Sequence, residues 1–472
     1  MAVGAKQYLE SINPATEQLL GRYPIFTPSQ VDRALEEAHR AFLSWRGYSF
    51  EERAVLMQQA AQYLRSNRDR LAGLITAEMG KPIAESEAEI EKCAWNCDFY
   101  AENAERFLAD EPHPSSATES YVAFDPLGPV LAIMPWNFPF WQVFRFAAPT
   151  LMAGNTALLK HASNVPQCAL AIEEVFKASG FPPGVLRTAL VSGQTAEEMI
   201  ADRRISAVTL TGSTAAGHQV AAAAGRVIKK AVLELGGSDP FILLEDANLE
   251  EAARMAVRAR YQNSGQSCIA AKRFLVVEYV FDEFLRRFAS DVSALRVGDP
   301  LDRNTQVGPL ARRDLVDALD RQVRDSISMG AKVVVGGHRM SGPGYFYEPT
   351  ILTEVTRDMP VYREETFGPV AAVIRVRDAD EAIRMANDTT YGLGANLWTR
   401  NLERARRLAR EIEVGSVFIN GMVASDPRLP FGGVKESGHG RELSEFGIRE
   451  FTNVKTVWIG PAVGPQMGRP VE

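Results

Sequence analysis

Apolar residues recur at helical spacing through the first 110 residues. Thr27–Gln30 has the composition of a capping box with proline at the first helical position, and an apolar stripe follows it. Ser49–Glu52 repeats this signal, and we expect its helix to continue until it fades at Gly80–Pro82. Ala84–Leu108 predicts one more helix. The pattern therefore indicates a helical N-terminal region.

From about residue 120, short apolar runs alternate with helical patterns. The runs predict strands at Val130–Pro135, Thr156–Lys160, Leu186–Val191, Ala207–Thr211 and Ala231–Leu235, with helices at Pro166–Ser179 and Ala215–Gly225. Strand and helix in alternation indicate a mostly parallel sheet that is covered on both faces. Further runs predict a second α/β domain, at Phe241–Leu244, Phe274–Val277, Lys332–Val335 and Ala371–Ile374.

The composition is typical of a globular protein. Of 472 residues, 46% are hydrophobic and 24% charged, enough for two or three packed domains. The 52 basic and 59 acidic residues are interspersed, with a net charge of −7, so nothing predicts nucleic acid as a partner. The N-terminus lacks an apolar core of signal-peptide length, and the apolar stretch Leu127–Gly154 is broken by prolines and polar residues. We therefore expect a cytoplasmic protein with no membrane partner.

Cysteine and histidine usage predicts neither a disulfide scaffold nor a metal site. Four cysteines are few for so long a chain, and no pair has CxxC spacing. The six histidines are scattered without the spacing of metal ligands. A reducing compartment and no bound metal are expected.

Three polar side chains are candidate catalytic groups. Cys268 follows small polar residues and glycine, where an exposed thiol would be a nucleophile once its thiolate is stabilised; the alternative is a buried cysteine that only packs. Glu234 lies between Leu233 and Leu235, where burial would raise its pKa and suit it as a general base; the alternative is a strand residue facing solvent. Asn137, in an aromatic and proline-rich run, can donate to an oxyanion; the alternative is a packed turn.

Five segments, in order and spread over nearly the whole chain, resemble signatures of the aldehyde dehydrogenase superfamily: Pro135–Pro139, Leu233–Gly237, Gly265–Cys268, Glu364–Pro369 and Pro430–Gly438. The resemblance implies that Cys268 attacks the aldehyde carbon through a thiohemiacetal and a thioester, while Asn137 and the Cys268 backbone N–H hold the oxyanion. It implies that Glu234 activates the water that hydrolyses the thioester, since relatives that acylate coenzyme A typically lack this glutamate. A binding protein without catalysis, the alternative class, has little reason to combine these three residues.

The resemblance also implies a nicotinamide cofactor. Its contacts are implied at Trp136, Lys160, Ser163, Gly212, Ser213, Glu365 and Phe367. Gly212 and Ser213 follow a predicted strand and open a predicted helix, where backbone amides and the helix dipole favour a pyrophosphate. A plain strand-to-helix turn is the alternative.

The preference for NADP over NAD rests on Ser163. Relatives often have a glutamate at this position, which accepts from the 2′-hydroxyl of NAD, whereas Ser163 has no charge to repel a 2′-phosphate. We therefore predict NADP as the cofactor, with NAD as the alternative. His161 would add a partial positive charge nearby unless it merely packs.

Within the superfamily, the chain is most similar to the succinate-semialdehyde dehydrogenase branch, at Trp141–Arg145, Lys160–Asn164 and Ser425–Pro430. This predicts that Arg145 and Ser425 bind the distal carboxylate of succinate semialdehyde; an interdomain ion pair is the alternative for Arg145. Gln262 stands where many members of the branch have a second arginine, for which Arg428 is the nearest substitute. The rival function is oxidation of a broad range of aliphatic or betaine aldehydes, which would gain nothing from Arg145.

The fold implied by the resemblance is α/β. A Rossmann-type cofactor domain is expected from residues 1–111 and 126–234, and an α/β catalytic domain from 235–445. A small β oligomerisation element is expected from residues 112–125 and 446–472, in which a hairpin pairs with a strand around Thr452–Ile459. A homodimer or homotetramer is implied, and the tail after Ile459 is expected to be a loose terminus.

Overall fold

The structure, a computed structural model, describes residues 8–461. The helices are α1 Pro28–Trp45, α2 Phe50–Ser66, α3 Arg68–Met79, α4 Ile83–Phe107, α5 Trp141–Met152, α6 Pro166–Ala178, α7 Gly193–Ala201, α8 Thr214–Arg226, α9 Leu249–Tyr261, α10 Glu278–Ser293, α11 Arg313–Ser328, α12 Pro360–Arg363, α13 Ala379–Asn387, α14 Leu402–Ala409 and α15 Ser444–Arg449. The strands are β1 Tyr8–Ile12, β2 Leu19–Pro24, β3 Glu111–Pro112, β4 Glu119–Pro126, β5 Pro129–Met134, β6 Thr156–His161, β7 Leu186–Thr188, β8 Ala207–Thr211, β9 Lys230–Glu234, β10 Asp239–Leu243, β11 Ala271–Val277, β12 Lys332–Val335, β13 Thr350–Thr353, β14 Val370–Val376, β15 Tyr391–Gly392, β16 Gly394–Trp398, β17 Ser416–Ile419, β18 Val434–Lys435, β19 Gly438–His439 and β20 Thr452–Ile459.

The first α/β unit is built on a sheet with strand order β19-β9-β8-β5-β6-β7. Strands β5 to β9 pair in parallel, and the short β19 runs antiparallel to the end of β9. Consecutive residues of β5 belong to different hydrophobic clusters, Val130 to one and Leu131 to another, so both faces of the sheet are covered. The predicted parallel sheet is confirmed, although α7 was not predicted.

The second α/β unit has the strand order β12-β13-β14-β11-β10-β16-β17. These strands are parallel except that β12 runs antiparallel to β13 at the edge. Phe241 and Ile242 of β10 again pack into different clusters on opposite faces. The second predicted α/β series is therefore confirmed, and Cys268 lies just before β11.

A smaller antiparallel sheet has the order β20-β4-β3. Strand β20 pairs with β4 along its whole length, from Thr452 opposite Pro126 to Ile459 opposite Glu119. This is the pairing of hairpin and C-terminal strand that the family resemblance implied. The domain boundaries drawn around it stay a prediction, and most of the tail after Ile459, from residue 462 onward, lies outside the described residues.

The N-terminal region is only partly helical, so the prediction for it was wrong in two places. Strands β1 and β2 form an antiparallel hairpin that the helical pattern did not indicate. Helices α1 and α2 do begin at the predicted capping boxes, with Thr27 and Ser49 as N-caps. However, α2 ends at Ser66 because Asn67, with φ −112° and ψ 15°, leaves the helical conformation before α3 begins.

Residues 8–461 contain neither a candidate membrane span nor a candidate metal site. No helix among them is long and apolar enough to cross a membrane. The same residues contain no group of three or more His, Cys, Asp and Glu side chains that could hold a metal ion.

Candidate functional site

The predicted cofactor and catalytic residues of the first sheet lie at the carboxyl ends of its parallel strands. Asn137 follows β5 and Lys160 is near the end of β6. Gly212 follows β8, and Glu234 is the last residue of β9. Parallel strands place their carboxyl ends at one edge of the sheet, where ligands of such folds bind. A hydrogen bond from the side chain of Asn137 to the carbonyl of Gln266 connects this edge to the segment that carries Cys268.

Cys268 follows a tight turn at the end of α9. Three consecutive residues of this turn have left-handed backbone: Asn263, Ser264 and Gly265, with φ of 53°, 54° and 74°. A Cβ on Gly265 would lie 2.3 Å from the carbonyl oxygen of Gly368, so only glycine fits there. The buried Arg260 donates to the carbonyls of both Gly265 and Gly368. The strained turn is thus fixed to the neighbouring signature segment.

Lys272 supports the backbone around Cys268 from the other side. Its Nζ donates to the carbonyls of Ser267, at 3.0 Å, and Cys268, at 2.7 Å. The same Nζ lies 3.4 Å from Oε1 of Glu365, which also accepts from the backbone N–H of Gly237 at 3.0 Å. One buried lysine therefore connects three of the five signature segments.

The Cys268 thiol and the Glu234 carboxylate lie close enough for the charge of Glu234 to act on the thiol. Burial raises the pKa of the Cys268 thiol well above its usual value, the charge of Glu234 raises it further, and Arg145 opposes this. Burial also raises the pKa of Glu234, again opposed by Arg145. Glu234 is only 2% exposed, so the solvent-facing alternative for it is wrong. A protonated thiol beside a carboxylate is an arrangement in which the carboxylate can take the thiol proton.

Arg145 lies between two carboxylates. Its Nη2 donates to Oε2 of Glu234 at 3.2 Å and lies 2.6 Å from Oε2 of Glu442. Burial raises the pKa of Glu442 to about 7, although Arg145 opposes the shift. The side chains of all three are no more than 7% exposed. The guanidinium is therefore engaged in ion pairs, the alternative that the sequence left open, while its predicted contact with a substrate stays a prediction.

Asn137 is held beside the backbone that leads to Cys268. Its Nδ2 donates to the carbonyl of Gln266 at 3.2 Å, and its own carbonyl accepts from Nδ2 of Asn263 at 2.8 Å. Among the hydrogen bonds of residues 8–461, the backbone N–H of Cys268 has no protein acceptor. The second side-chain N–H of Asn137 and the backbone N–H of Cys268 are thus both available to donate to an oxyanion beside Cys268.

The last signature segment closes over the end of β9. Gly438 pairs with Glu234 across the β9–β19 ladder. Ser437 accepts the backbone N–H of Leu235 at 3.0 Å through its carbonyl, and its Oγ donates to the carbonyl of Gly236 at 2.6 Å. These bonds fix the strand end that carries the candidate base.

A cavity of about 1400 Å³ opens beside Cys268. Near the thiol its walls carry aromatic and polar side chains: Lys92, Phe138, Trp141, Gln142, Arg145, Gln262, Ser425 and Phe431. Within the described part of the chain, none of the predicted cofactor residues lines it. Arg428 does not line it either, because its guanidinium pairs with Asp426. The cavity is therefore a candidate site for an aldehyde and not for the cofactor.

Ser425 lies in the wall of this cavity with its hydroxyl oxygen surrounded by donors. Its Oγ accepts from Nζ of Lys92 at 2.8 Å and from Nε1 of Trp141 at 3.0 Å. Both acceptor positions of the oxygen are filled, and no residue of the described chain accepts the hydroxyl proton. The Ser425 O–H is therefore free to donate to a bound anion.

The residues around Gly212 form a strand-to-helix turn suited to a phosphate. Ser213 is the N-cap of α8, whose first backbone amides lie at this edge of the sheet. A Cβ on Gly217 would lie 2.4 Å from Cδ1 of Leu235, so α8 packs closely on the sheet. Lys160 has no carboxylate within 4 Å among residues 8–461. A helix N-terminus and an unpaired cation at one edge fit an anionic cofactor.

Ser163 and Asn164 lie in the turn between β6 and α6. Ser163 is exposed, whereas both side-chain polar atoms of Asn164 are buried without a hydrogen-bond partner in the described chain. His161 is buried; its Nδ1 accepts from the N–H of Ala162, and its Nε2 donates to the carbonyl of Pro139. Burial lowers the pKa of His161 to about 4. The suggestion that His161 adds positive charge here was wrong, because the ring is neutral and packs.

Trp136 and Phe367 contact each other although they come from distant segments. Their ring centroids lie 5.7 Å apart at 83°, an edge-to-face contact. Glu365, two residues before Phe367, is turned toward Lys272 as described above. Of the seven residues implied for the cofactor, Trp136 and Phe367 thus lie together, and Glu365 contacts the lysine that supports the backbone of Cys268.

Several residues of this site were missed from the sequence: Lys92, Arg260, Lys272 and Glu442. For Lys272 there was a signal, since a charge at the start of the buried run Phe274–Val277 must find partners. The others lie in ordinary helical or loop patterns, where only the three-dimensional structure reveals their burial.

Comparisons with known proteins give matches over nearly the whole chain, and all of them point to one family. A model of the aldehyde dehydrogenase family matches residues 2–457. The chain is 53% identical over 451 residues to a probable succinate-semialdehyde dehydrogenase [NADP(+)] of Synechocystis, covering 96% of this chain and 99% of the relative. It is 51% identical over 454 residues to succinate-semialdehyde dehydrogenase [NADP(+)] 1 of Mycobacterium tuberculosis, with the same coverage of 96% and 99%.

Solved structures show the same fold. A succinic semialdehyde dehydrogenase of Streptococcus pyogenes, in complex with NADP+ as the cofactor, matches with a TM-score of 0.94 at 37% identity. The match covers 96% of this chain and 100% of that structure. A succinate-semialdehyde dehydrogenase of Burkholderia pseudomallei matches with a TM-score of 0.93 at 37% identity, over 96% and 95% of the two chains.

Proposed function

The chain belongs to the aldehyde dehydrogenase family, and from this premise we propose that it oxidises succinate semialdehyde to succinate with NADP as its cofactor. The observation that carries the proposal is the position of Cys268 in the wall of a cavity that Lys92, Arg145 and Ser425 also line, with Glu234 held behind this wall by its bond from Arg145. The proposed substrate and cofactor are those of two relatives that are about half identical to this chain, both succinate-semialdehyde dehydrogenases [NADP(+)] by name.

In the proposed reaction, Glu234 first accepts the thiol proton of the neighbouring Cys268. The thiolate attacks the aldehyde carbon, which forms the C–S bond of a thiohemiacetal and places negative charge on the former carbonyl oxygen. The side-chain amide of Asn137 and the backbone N–H of Cys268 are the donors for this oxyanion. A preorganised donor of this kind contributes on the order of 3 kcal/mol.

A bound nicotinamide cofactor supplies the hydride acceptor that turns the thiohemiacetal into a thioester. Glu234 must then release its first proton to solvent before it can act again. Ionised once more, it takes a proton from water, and the resulting hydroxide attacks the acyl carbon. The C–S bond breaks, the acid leaves, and the Cys268 thiolate is restored.

For the cofactor, we propose contacts with Trp136, Lys160, Ser163, Gly212, Ser213, Glu365 and Phe367. The support is the N-terminus of α8 at Gly212 and Ser213 and the cation of Lys160, which has no ion-pair partner in residues 8–461. The buried amide of Asn164, without partners of its own, is a further polar group beside Ser163. The neutral, exposed Ser163 favours NADP because it leaves room for a 2′-phosphate and does not repel it.

For the substrate carboxylate, we propose Ser425 and Arg145. The free hydroxyl proton of Ser425 supports the first. Arg145 borders the cavity, but its guanidinium also pairs with Glu234 and Glu442, so its main effect is to orient the base. The rival is a broad-specificity aldehyde dehydrogenase, which the aromatic walls formed by Phe138 and Phe431 would serve.

The test is the steady-state kcat/KM for succinate semialdehyde, butyraldehyde and betaine aldehyde, each with NADP and with NAD. We expect succinate semialdehyde with NADP to have the highest value. Butyraldehyde has the same chain length without the carboxylate, so equal values for the two would indicate the broad-specificity enzyme. A preference for betaine aldehyde would contradict a cavity lined by the cations Lys92 and Arg145.

We further propose that the protein works as a homodimer or homotetramer in the cytoplasm. The support for assembly is the edge strand β20, whose side chains include the exposed Val454, Trp458 and Ile459. Light scattering after size-exclusion chromatography would decide the number of chains. A monomer under assay conditions would contradict the proposal. The domain boundaries at residues 111, 126, 234 and 445 belong to the same proposal.

A further inference from the structure

Lys92 stands at the cavity wall together with Ser425 and Trp141. Its Nζ donates to Oγ of Ser425 at 2.8 Å and lies 4.2 Å from the ring centroid of Trp141. Trp141 Nε1 donates to the same Ser425 oxygen at 3.0 Å. One serine oxygen thus accepts from two neighbours, and Lys92 has two further N–H groups without a hydrogen-bond partner among residues 8–461.

No carboxylate lies within 4 Å of the Lys92 ammonium in the described chain. The other cation close to Cys268 in this wall, Arg145, has two such partners, Glu234 and Glu442. Arg258 also lines the cavity without an ion pair in residues 8–461, but its side chain is on the exposed face of α9, where water screens its charge. Within residues 8–461, Lys92 is therefore a half-buried positive charge of this cavity wall that has no counter-ion within 4 Å.

We propose that Lys92, together with the Ser425 hydroxyl, binds the carboxylate of the aldehyde substrate and so determines the preference for a carboxylate-bearing aldehyde. The inference rests on the proposed function and adds a residue to its substrate site. The carboxylate receives a charge-assisted hydrogen bond from Nζ and a second from the Ser425 O–H, whose oxygen keeps its bond from Trp141. The aldehyde end then extends along the same cavity toward Cys268.

The electrostatic surroundings of Lys92 favour an anionic ligand. Burial and, to a smaller extent, the positive charge of Arg145 on α5 lower the pKa of Lys92 to about 8. Glu89 and Cys93 on its own helix, α4, and Asp426 in the loop beside Ser425 oppose the shift. A bound carboxylate would add the negative charge that this lysine lacks.

The variant Lys92→Met keeps the apolar stem and removes the charge. We expect kcat/KM for succinate semialdehyde to fall roughly 10- to 150-fold, the loss of a hydrogen bond to a charged group, while butyraldehyde changes less than about threefold. Lys92→Arg should restore part of the preference. Two control variants, Lys177→Met on the exposed surface of α6 and Arg258→Met at the cavity mouth, should leave the ratio of the two values unchanged.

The pH dependence gives a readout that a structural role would not move. Lys92 is charged below a pH of about 8 and neutral above it, so the wild-type ratio of kcat/KM for succinate semialdehyde over butyraldehyde should fall as pH rises through about 8. The titration of Cys268 and Glu234 affects both aldehydes and cancels in the ratio. In Lys92→Arg the fall should move to much higher pH, because arginine stays protonated.

The outcomes separate the two proposals. If wild type prefers succinate semialdehyde and Lys92→Met abolishes that preference, both stand. If wild type has the preference and Lys92→Met retains it, the role of Lys92 is overturned and the proposed function stands. The same holds if kcat/KM falls equally for the two aldehydes in Lys92→Met. If wild type shows no preference for succinate semialdehyde, the proposed substrate is wrong, and the role of Lys92 falls with it.

Discussion

Replacing Arg145 by methionine should destabilise the protein severely, because two buried carboxylates would lose their shared counter-charge. The side chains of Arg145, Glu234 and Glu442 are 2%, 3% and 7% exposed, so water cannot replace the guanidinium. Removing one partner of a buried ion pair costs about 3–5 kcal/mol of unfolding free energy. The assay is urea unfolding followed by tryptophan fluorescence. As a control, Arg40→Met removes an exposed pair with Glu36 and should cost less than about 1 kcal/mol.

The loss in Arg145→Met should depend on pH, with a definite sign. In the folded protein burial raises the pKa of Glu442 from 4.5 to about 7 and that of Glu234 in the same direction, and without Arg145 both would rise further. A carboxyl group with a raised folded-state pKa binds more protons folded than unfolded, so stability falls as pH rises above its unfolded value. The deficit of Arg145→Met relative to wild type should therefore be smaller at pH 6 than at pH 8.5.

Two results would refute this reasoning about Arg145. One is a loss below about 1 kcal/mol, which would mean that the ion pairs contribute no more than surface pairs do. The other is a deficit that shrinks as pH rises. The double variant Arg145→Met with Glu442→Gln should recover part of the loss, since it removes one of the two unpaired charges. Arg145→Met should also lower kcat/KM for both succinate semialdehyde and butyraldehyde, because Glu234 loses the group that orients it. A loss confined to succinate semialdehyde would identify Arg145 as the main anchor of the substrate carboxylate.

Two further predictions concern the cofactor and the nucleophile turn. Ser163→Glu should lower kcat/KM for NADP by about tenfold or more, because a carboxylate there repels the 2′-phosphate, while NAD changes less than about threefold; equal effects on both cofactors would contradict the assignment. Gly265→Ala should lower the unfolding free energy by about 2 kcal/mol or more, because φ is 74° and the new Cβ meets the Gly368 carbonyl. The control is Gly225→Ala, where a Cβ has no atom within 4 Å. This variant should be neutral or stabilising by up to about 1 kcal/mol. Equal urea midpoints for these two variants would rule out a strained turn at Gly265.

Much of the fold could be predicted from the sequence because the local signals agreed with the tertiary packing. The parallel sheets appear as uninterrupted apolar runs, such as the one that becomes β8, since both faces of these strands are buried. The capping boxes at Thr27 and Ser49 fixed two helix starts for the same reason, as the caps are satisfied locally.

The failures in the fold came from weak local signals. Strands β1 and β2 are short and largely exposed, so their apolar alternation is faint. The break between α2 and α3 depends on the backbone of the single residue Asn67, whose side chain does not forbid a helix. Neither feature produces a period that the pattern can reveal.

For the candidate site, the sequence indicated the residues that share signature segments but not the charges that surround them. Lys92 lies on α4, among charged residues that look like a solvated helical face, and its position at the cavity depends on how α4 packs on α5. Glu442 has no distinctive neighbours in the chain, and only the closure of the loop after β19 brings it to Arg145. Burial of a charge by distant segments leaves no periodic trace in the sequence.

The most direct test of the proposed chemistry is to trap the acyl-enzyme in Glu234→Gln. Mixed with succinate semialdehyde and NADP and quenched in acid, this variant should carry one succinyl group on Cys268, detected by mass spectrometry of the digested protein, with one equivalent of NADPH formed in a burst. The prediction follows because the proposed hydrolysis of the thioester needs Glu234 to activate water, whereas in the variant the Cys268 thiol can still lose its proton, more slowly, to the buffer. An unmodified Cys268 after the burst, or a succinyl group on another residue, would contradict the account.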